Sequence, residues 1–250
     1  MQWRVLILSV FDSALYERSL LVFSERQMQR LLRSHILIAG IGGVGGFVAE
    51  GLARAGVGRL TLVDHDRVSA SNLNRQLVAL HSTVGEFKVD VMARRIADIN
   101  PECEVHCLTD FITPETIPGL LNAGFDLVVD AIDSVNCKVS LVANAFQGAI
   151  PVVSSMGAGR RMDPSQIRIA DISETFGCGL ARVMRQRLKK QGIVKGVCVV
   201  FSTELPKPPG PFEDIADARG RVVNGTASYM PGLFGLMLAG LAVQKLTDDI

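Results

Sequence analysis

His35-Ile-Leu-Ile-Ala-Gly40-Ile-Gly42-Gly43-Val-Gly45 decides the fold, because an apolar strand here runs into a glycine-rich turn that opens a helix. Glycines let the backbone approach a phosphate closely, and a helix N-terminus offers amide donors at its positive dipole end. The same spacing serves NAD, FAD and ATP sites, so the segment points to a nucleotide without choosing one. Gly40, Gly42, Gly43 and Gly45 are the first candidate contacts.

Outward from this turn, strand-like runs alternate with helical patterns. Strands are expected over 35–39, 59–64, 104–109, 127–131 and 151–155, and helices over 44–55, 86–100, 114–122 and 135–147. Such alternation predicts an α/β, Rossmann-like, mostly parallel sheet with helices on both faces. After Ser155 the rhythm changes: Gly157-Ala-Gly159 is a joint, and strands over 166–170 and 197–201 flank a helix over 180–191. These form a mixed C-terminal extension, with a proline-rich surface loop over 206–211 and a last helix over 230–246. The expected organisation is a single domain over 1–250, with a nucleotide half over about 15–155 and a substrate half over about 156–250.

Composition narrows the class. The chain of 250 residues is 48% hydrophobic and 20% charged, too apolar for a disordered polymer. Its net charge of +1 confines any nucleic-acid contact to a local patch. The five cysteines never stand as C-x-x-C, so neither a disulfide framework nor a paired zinc motif is expected, and reduced thiols in the cytoplasm are the simplest reading. Cys103 and Cys107 share a strand face with Val105 and read as core. The apolar stretch 1–11 is too short for a signal peptide, with Asp12 directly after it. The run 229–243 falls short of the roughly 20 residues of a membrane span. Gly232, Gly235, Ala239 and Gly240 suit a helix packed closely in a core or at a subunit contact instead, so membrane association is not expected.

The polar residues after the turn carry the chemistry. Asp64 stands at the end of the second strand, where an acid accepts hydrogen bonds from ribose hydroxyls, and Asp66 is placed to share that task. Asn72, Arg75, Gln76 and Lys88 follow; together the two cations match a triphosphate better than a dinucleotide. Asp130-Ala-Ile-Asp133-Ser134 then closes the fourth strand at the crevice where such sheets bind ligands. A carboxylate there can hold Mg2+ against phosphate oxygens, and Asp133 is the stronger choice because Asp130 is placed to bond locally.

Gly40–Gly45, Asp64 through Gln76, Val84-Gly-Glu-Phe-Lys88 and Asp130-Ala-Ile-Asp133 together resemble the ubiquitin-activating-enzyme superfamily, with its bacterial ThiF- and MoeB-type adenylyltransferases. The resemblance implies ATP with Mg2+: Asp64 on ribose, Asn72, Arg75 and Lys88 on phosphates, and Asp133 on the metal. It implies a homodimer too, with Arg18 reaching the partner's site. The second half, in Gly157-Ala-Gly-Arg-Arg-Met-Asp163, Val200-Phe-Ser-Thr-Glu-Leu-Pro and Asn224-Gly-Thr-Ala-Ser-Tyr-Met-Pro, is similar to the dehydratases of tRNA threonylcarbamoyladenosine. That branch implies adenylation and cyclisation of a carboxylate on a tRNA adenosine beside the anticodon. Ser24 departs from the pattern, standing where a glycine is expected.

The substrate side leaves a trace of its own. No acid occurs between Glu174 and Glu204, while Arg182, Arg185 and Lys189 share a helix face opposite Val183, Met184 and Leu188. This is either an ordinary solvated face or a track for a tRNA backbone. Cys178, just ahead, is a candidate reactive thiol. The competing readings are an adenylyltransferase of a sulfur-carrier protein, an NAD-dependent oxidoreductase and a nucleotide-sensing scaffold.

Overall fold

The computed structural model describes residues 14–208 and 225–248. The stretch 1–11, Asn224 and the latter part of the 206–211 loop therefore lie outside the described residues.

Seven strands form one sheet: β1 (His35–Ala39), β2 (Arg59–Val63), β3 (Glu104–Leu108), β4 (Leu127–Asp130), β5 (Val152–Ser155), β6 (Ile167–Asp171) and β7 (Cys198–Ser202). Their order is β3-β2-β1-β4-β5-β7-β6, with every pairing parallel except β6 against β7. The sheet is thus the expected Rossmann-like one with a mixed end. Strands β1, β4 and β5 are buried throughout, which is why they read as unbroken apolar runs. The strand order reverses between β1 and β4, and that switch point opens a crevice at their carboxyl ends.

Helices α1 (Glu25–Arg33), α2 (Gly45–Arg54), α3 (Lys88–Ile99), α4 (Ile117–Leu121), α5 (Val135–Gln147), α6 (Gly179–Lys189) and α7 (Met230–Thr247) cover both faces. One core joins β1, β2 and β4 to α1, α2, α3 and α7; the other packs α4, α5 and α6 on the opposite side. The composition of α7 would let it pass for a membrane span, but 67% of it is buried in the molecule. Gly235 lets α2 approach closely, since a Cβ there would lie 2.5 Å from the Val44 carbonyl oxygen. Phe234 and Leu238 are fully buried on that helix, each contributing roughly 1.5–3 kcal/mol. Gly240 does not join the contact: it is exposed with open space around it.

Several boundaries differ from expectation for local reasons. Helix α3 starts at Lys88, because residues 86 and 87 remain in a β-bridged loop over Arg67. The 114–122 pattern yields one short helix, with Pro118 near its start. Helix α1 was not anticipated, although its signature is present. Ser24 Oγ accepts from the Gln27 amide while Gln27 Oε1 accepts from the Ser24 amide, a reciprocal capping box. Ser24 has φ −66°, so no glycine is required there. On α6 the buried residues are Ala181, Met184 and Leu188, whereas Val183 is only half-buried. All five cysteines are free thiols. Cys103 lies just ahead of β3 rather than within it, and burial pushes its thiol up to about 12.

Candidate active site

Backbone geometry builds the crevice first. Gly40 leaves β1 with φ +91°, and a Cβ on it would meet the Ala131 carbonyl oxygen at 2.7 Å. Only glycine satisfies both demands. The turn therefore lies directly against the exit of β4. Above Gly42 the space is open: an added Cβ would find nothing nearer than Gln76 Nε2, at 3.8 Å.

Strand register then delivers the acids. Val63 pairs with Ala39, so Asp64 emerges beside the glycine turn. The Ile41 amide donates to Asp64 Oδ2 at 2.8 Å, and the Asp66 amide donates to Asp64 Oδ1 at 2.8 Å. Asp64 thus ties the turn to the exit of β2 and still keeps lone pairs for further donors. Lys88 Nζ, at the first position of α3, lies 3.0 Å from Asp66 Oδ2 and 3.9 Å from Asp64 Oδ2. Its charge is shared between both acids.

Arg75 and Gln76 lie over the turn. The Arg75 stem would touch a Cβ on Gly43 at 3.5 Å, and its guanidinium donates to the Ser71 carbonyl and to Asn74 Oδ1. Among the described residues no carboxylate pairs with Arg75, and burial lowers its pKa without removing its charge. Gln76 is 8% exposed, and its Oε1 has no hydrogen-bond partner. Asn72, also buried, holds the loop by accepting from the Ser69 amide. An uncompensated cation, an orphaned amide oxygen and an open glycine turn fit a nucleotide phosphate chain.

Beyond β4 the two aspartates separate in role. Asp130 is fully buried, pairs with Lys138 Nζ at 2.9 Å and accepts from Ser154 Oγ at 2.6 Å. Asp133 is exposed on the loop above, with Ser134 at the N-cap of α5. Lys138 and Ser154 were not anticipated. The one signal was a single cation among the apolar residues of α5.

The model of the ThiF family matches residues 16–249. The chain belongs to the ThiF family. Within the family it is 42% identical over 243 residues to the tRNA threonylcarbamoyladenosine dehydratase of Bacillus subtilis, covering 94% of this chain and 95% of that one. The Escherichia coli enzyme of the same name is 45% identical over 242 residues, 90% of each chain. The crystal structure of the Escherichia coli enzyme with ATP superposes with a TM-score of 0.83 at 39% identity, covering 91% of both chains. A second structure of that enzyme holds AMP.

Two other sequence candidates, Arg18 and Cys178, do not join this cluster. Arg18 is exposed, two residues past Tyr16, whose ring packs on Gly56 beyond the far end of α2. Helix α2 spans about 15 Å, so this segment sits towards the amino ends of the strands, away from the glycine turn at their carboxyl ends. Cys178 is 5% exposed within the α6-side core, which gives no support to a reactive thiol. Arg161 was not anticipated at all. It is 3% exposed and donates to the carbonyls of Gly157, Gly159, Gly177 and Glu204, tying three loops together above the sheet.

Proposed function

We propose that this chain is an ATP-dependent dehydratase acting on threonylcarbamoyladenosine in tRNA. The observation that carries the reading is the extent of the likeness. Both dehydratase relatives are matched over at least 90% of their length, so the likeness extends well past β5 into the half expected to meet the substrate. The ATP and AMP complexes of the Escherichia coli relative weigh against an NAD-dependent reaction.

A carboxylate is a poor electrophile because oxide would have to leave. Its oxygen attacks the α-phosphorus of ATP, pyrophosphate departs, and the acyl group now carries AMP as leaving group. The carbamoyl nitrogen then attacks the activated carbonyl, closes a five-membered ring, loses its proton and expels AMP. The substrate oxygen leaves on AMP, so the net change is loss of water. An internal nucleophile at high effective molarity needs no enzyme nucleophile.

This chain's residues serve that sequence by binding and by charge. In our reading the turn amides from Gly40 to Gly45, with Asn72, Arg75, Gln76 and Lys88, hold the phosphates against growing negative charge. Asp64, assisted by Asp66, takes the ribose hydroxyls. Asp133, with Ser134 beside it, would hold Mg2+, which supplies charge neutralisation at the phosphate oxygens. Arg18, remote from its own crevice, serves the site of a second subunit, so the working form is a homodimer. The chain acts as one unit, in the cytoplasm where tRNA and ATP meet, with no call on zinc.

Incubation of threonylcarbamoylated tRNA with the protein, ATP and Mg2+ tests this. Mass spectrometry of the anticodon-loop nucleosides is expected to show loss of one water, with AMP formed in equal amount. Unchanged nucleosides, with pyrophosphate released only when a carrier protein is supplied, would reject it.

A further inference from the structure

From Thr175 to Thr203 the chain holds no acid and six cations: Arg182, Arg185, Arg187, Lys189, Lys190 and Lys195. Among the described residues none of the six forms an ion pair, whereas Arg54, Arg59, Arg94 and Arg95 elsewhere each meet a carboxylate. Arg26, Arg33 and Lys245 also form no ion pair among the described residues, so what sets these six apart is their clustering on one stretch without acids. Two are fixed by neutral acceptors instead. Arg185 donates to the Thr175 carbonyl, and Arg187 donates to Asn136 Oδ1. Each guanidinium is thereby oriented with donors and its full charge to spare.

The Arg187 contact also sets direction. Asn136 lies in the first turn of α5, three residues past Asp133, so the basic helix joins the loop at the mouth of the crevice. Between α5 and α6 lies an open hollow of about 390 Å³, lined by Asn136, Ser140, Arg187, Lys190 and Gln191 among others. Ahead of α6 stands Phe176, 62% exposed, with its ring edge-on to Phe201 at 5.9 Å. An anchored aromatic beside a row of cations is the combination that holds nucleic acid with unstacked bases. The solvent face of α6 carries Arg182, Gln186, Lys189 and Lys190 and no large apolar side chain, which does not suit a lipid surface.

We infer that α6 is the rail that holds tRNA: Arg182, Arg187, Lys189 and Lys190 neutralise backbone phosphates, and Phe176 stacks an unpaired anticodon-loop base. The identity of the RNA rests on the dehydratase reading; the presence of an RNA track does not. The test is fluorescence anisotropy of the full chain with an unmodified tRNA transcript, across a salt series.

Arg182→Gln/Lys189→Gln/Lys190→Gln is expected to weaken binding ten- to a hundredfold. It should also flatten the log–log salt slope by about 2–3. Phe176→Ala should weaken binding about tenfold and leave the slope unchanged. Arg26→Gln/Arg33→Gln/Lys245→Gln removes equal charge from α1 and α7, on the other face of the sheet, and should bind as wild type. Equal losses in both triple variants, an α6 variant that binds like wild type, or a wild type indifferent to the transcript would each overturn the rail. A wild type that binds the transcript but never cyclises modified tRNA would overturn the dehydratase reading and leave the rail standing.

Discussion

Lys138 Nζ lies 2.9 Å from Asp130 Oδ2, and neither residue is more than 1% exposed. The lysine also donates to the Ile132 carbonyl at 3.0 Å, and the Ile132 amide donates to Asp130 Oδ1 at 3.2 Å. One buried ion pair thus fixes the backbone of the loop that presents Asp133. Removing a single partner leaves the other charge buried and unpaired. Lys138→Met is expected to cost about 3–5 kcal/mol in urea unfolding. Asp130→Asn/Lys138→Met should recover part of that loss, and a double variant no more stable than the single one would contradict the account.

Two neighbouring glycines should fail in different ways. A Cβ on Gly45 would lie 1.7 Å from the Gly40 carbonyl oxygen, so Gly45→Ala forces the turn apart. The expected cost is about 3 kcal/mol, read as a lowered Tm. Gly42→Ala meets only open space within the protein, so its Tm should match wild type. Its added methyl instead occupies the proposed phosphate position, and ATP affinity measured by calorimetry should drop at least about tenfold. Undiminished ATP binding by Gly42→Ala would move the phosphates elsewhere.

The two cations of the site differ in what they stabilise. Arg75 has no acidic partner among the described residues, so Arg75→Ala should leave the Tm unchanged. ATP–pyrophosphate exchange should fall roughly 10²–10³-fold. Lys88 is the cation nearest both Asp64 and Asp66, so Lys88→Ala should reduce exchange comparably and also destabilise by about 1–3 kcal/mol. Equal Tm losses in the two variants would show that Arg75 is structural.

One buried histidine gives a pH signature. His35 has its pKa lowered by burial first, then by Arg59 and His106, and its Nε2 sits 2.9 Å from Thr61 Oγ1. A depressed folded pKa means the unfolded chain binds more protons, so stability rises with pH across that window. The contribution is complete above the ordinary histidine value of about 6.5 and is lost as pH falls towards the lower folded pKa. Denaturant midpoints taken from pH 7.5 down to 5 should therefore fall, and less steeply in His35→Asn. An identical slope in the two proteins would remove His35 as the cause.

What the sequence by itself determined is what contiguous residues encode. The run from His35 to Gly45 requires a buried strand, a turn that only glycine can make and a helix start, because each demand acts within a few residues. The sheet class followed from the alternation, and the expectation of ATP from the family resemblance carried by Gly40–Gly45, Asp64–Gln76, Lys88 and Asp133. Helix α1 too is encoded locally, in the Ser24 and Gln27 capping box.

Only the tertiary structure decided how side chains distant in sequence pair. Asp130 meets Ser154 because β4 and β5 are in register at that pair, and it meets Lys138 because α5 folds back over β4. Lys88 shares Asp66 because α3 starts beside the exit of β2. Arg161 finds its carbonyls on three separate loops, and Arg185 and Arg187 find acceptors on Thr175 and Asn136. The physical reason is common to all of these. Local backbone demands are met by adjacent residues, whereas a buried charge must be met by whatever the fold brings near.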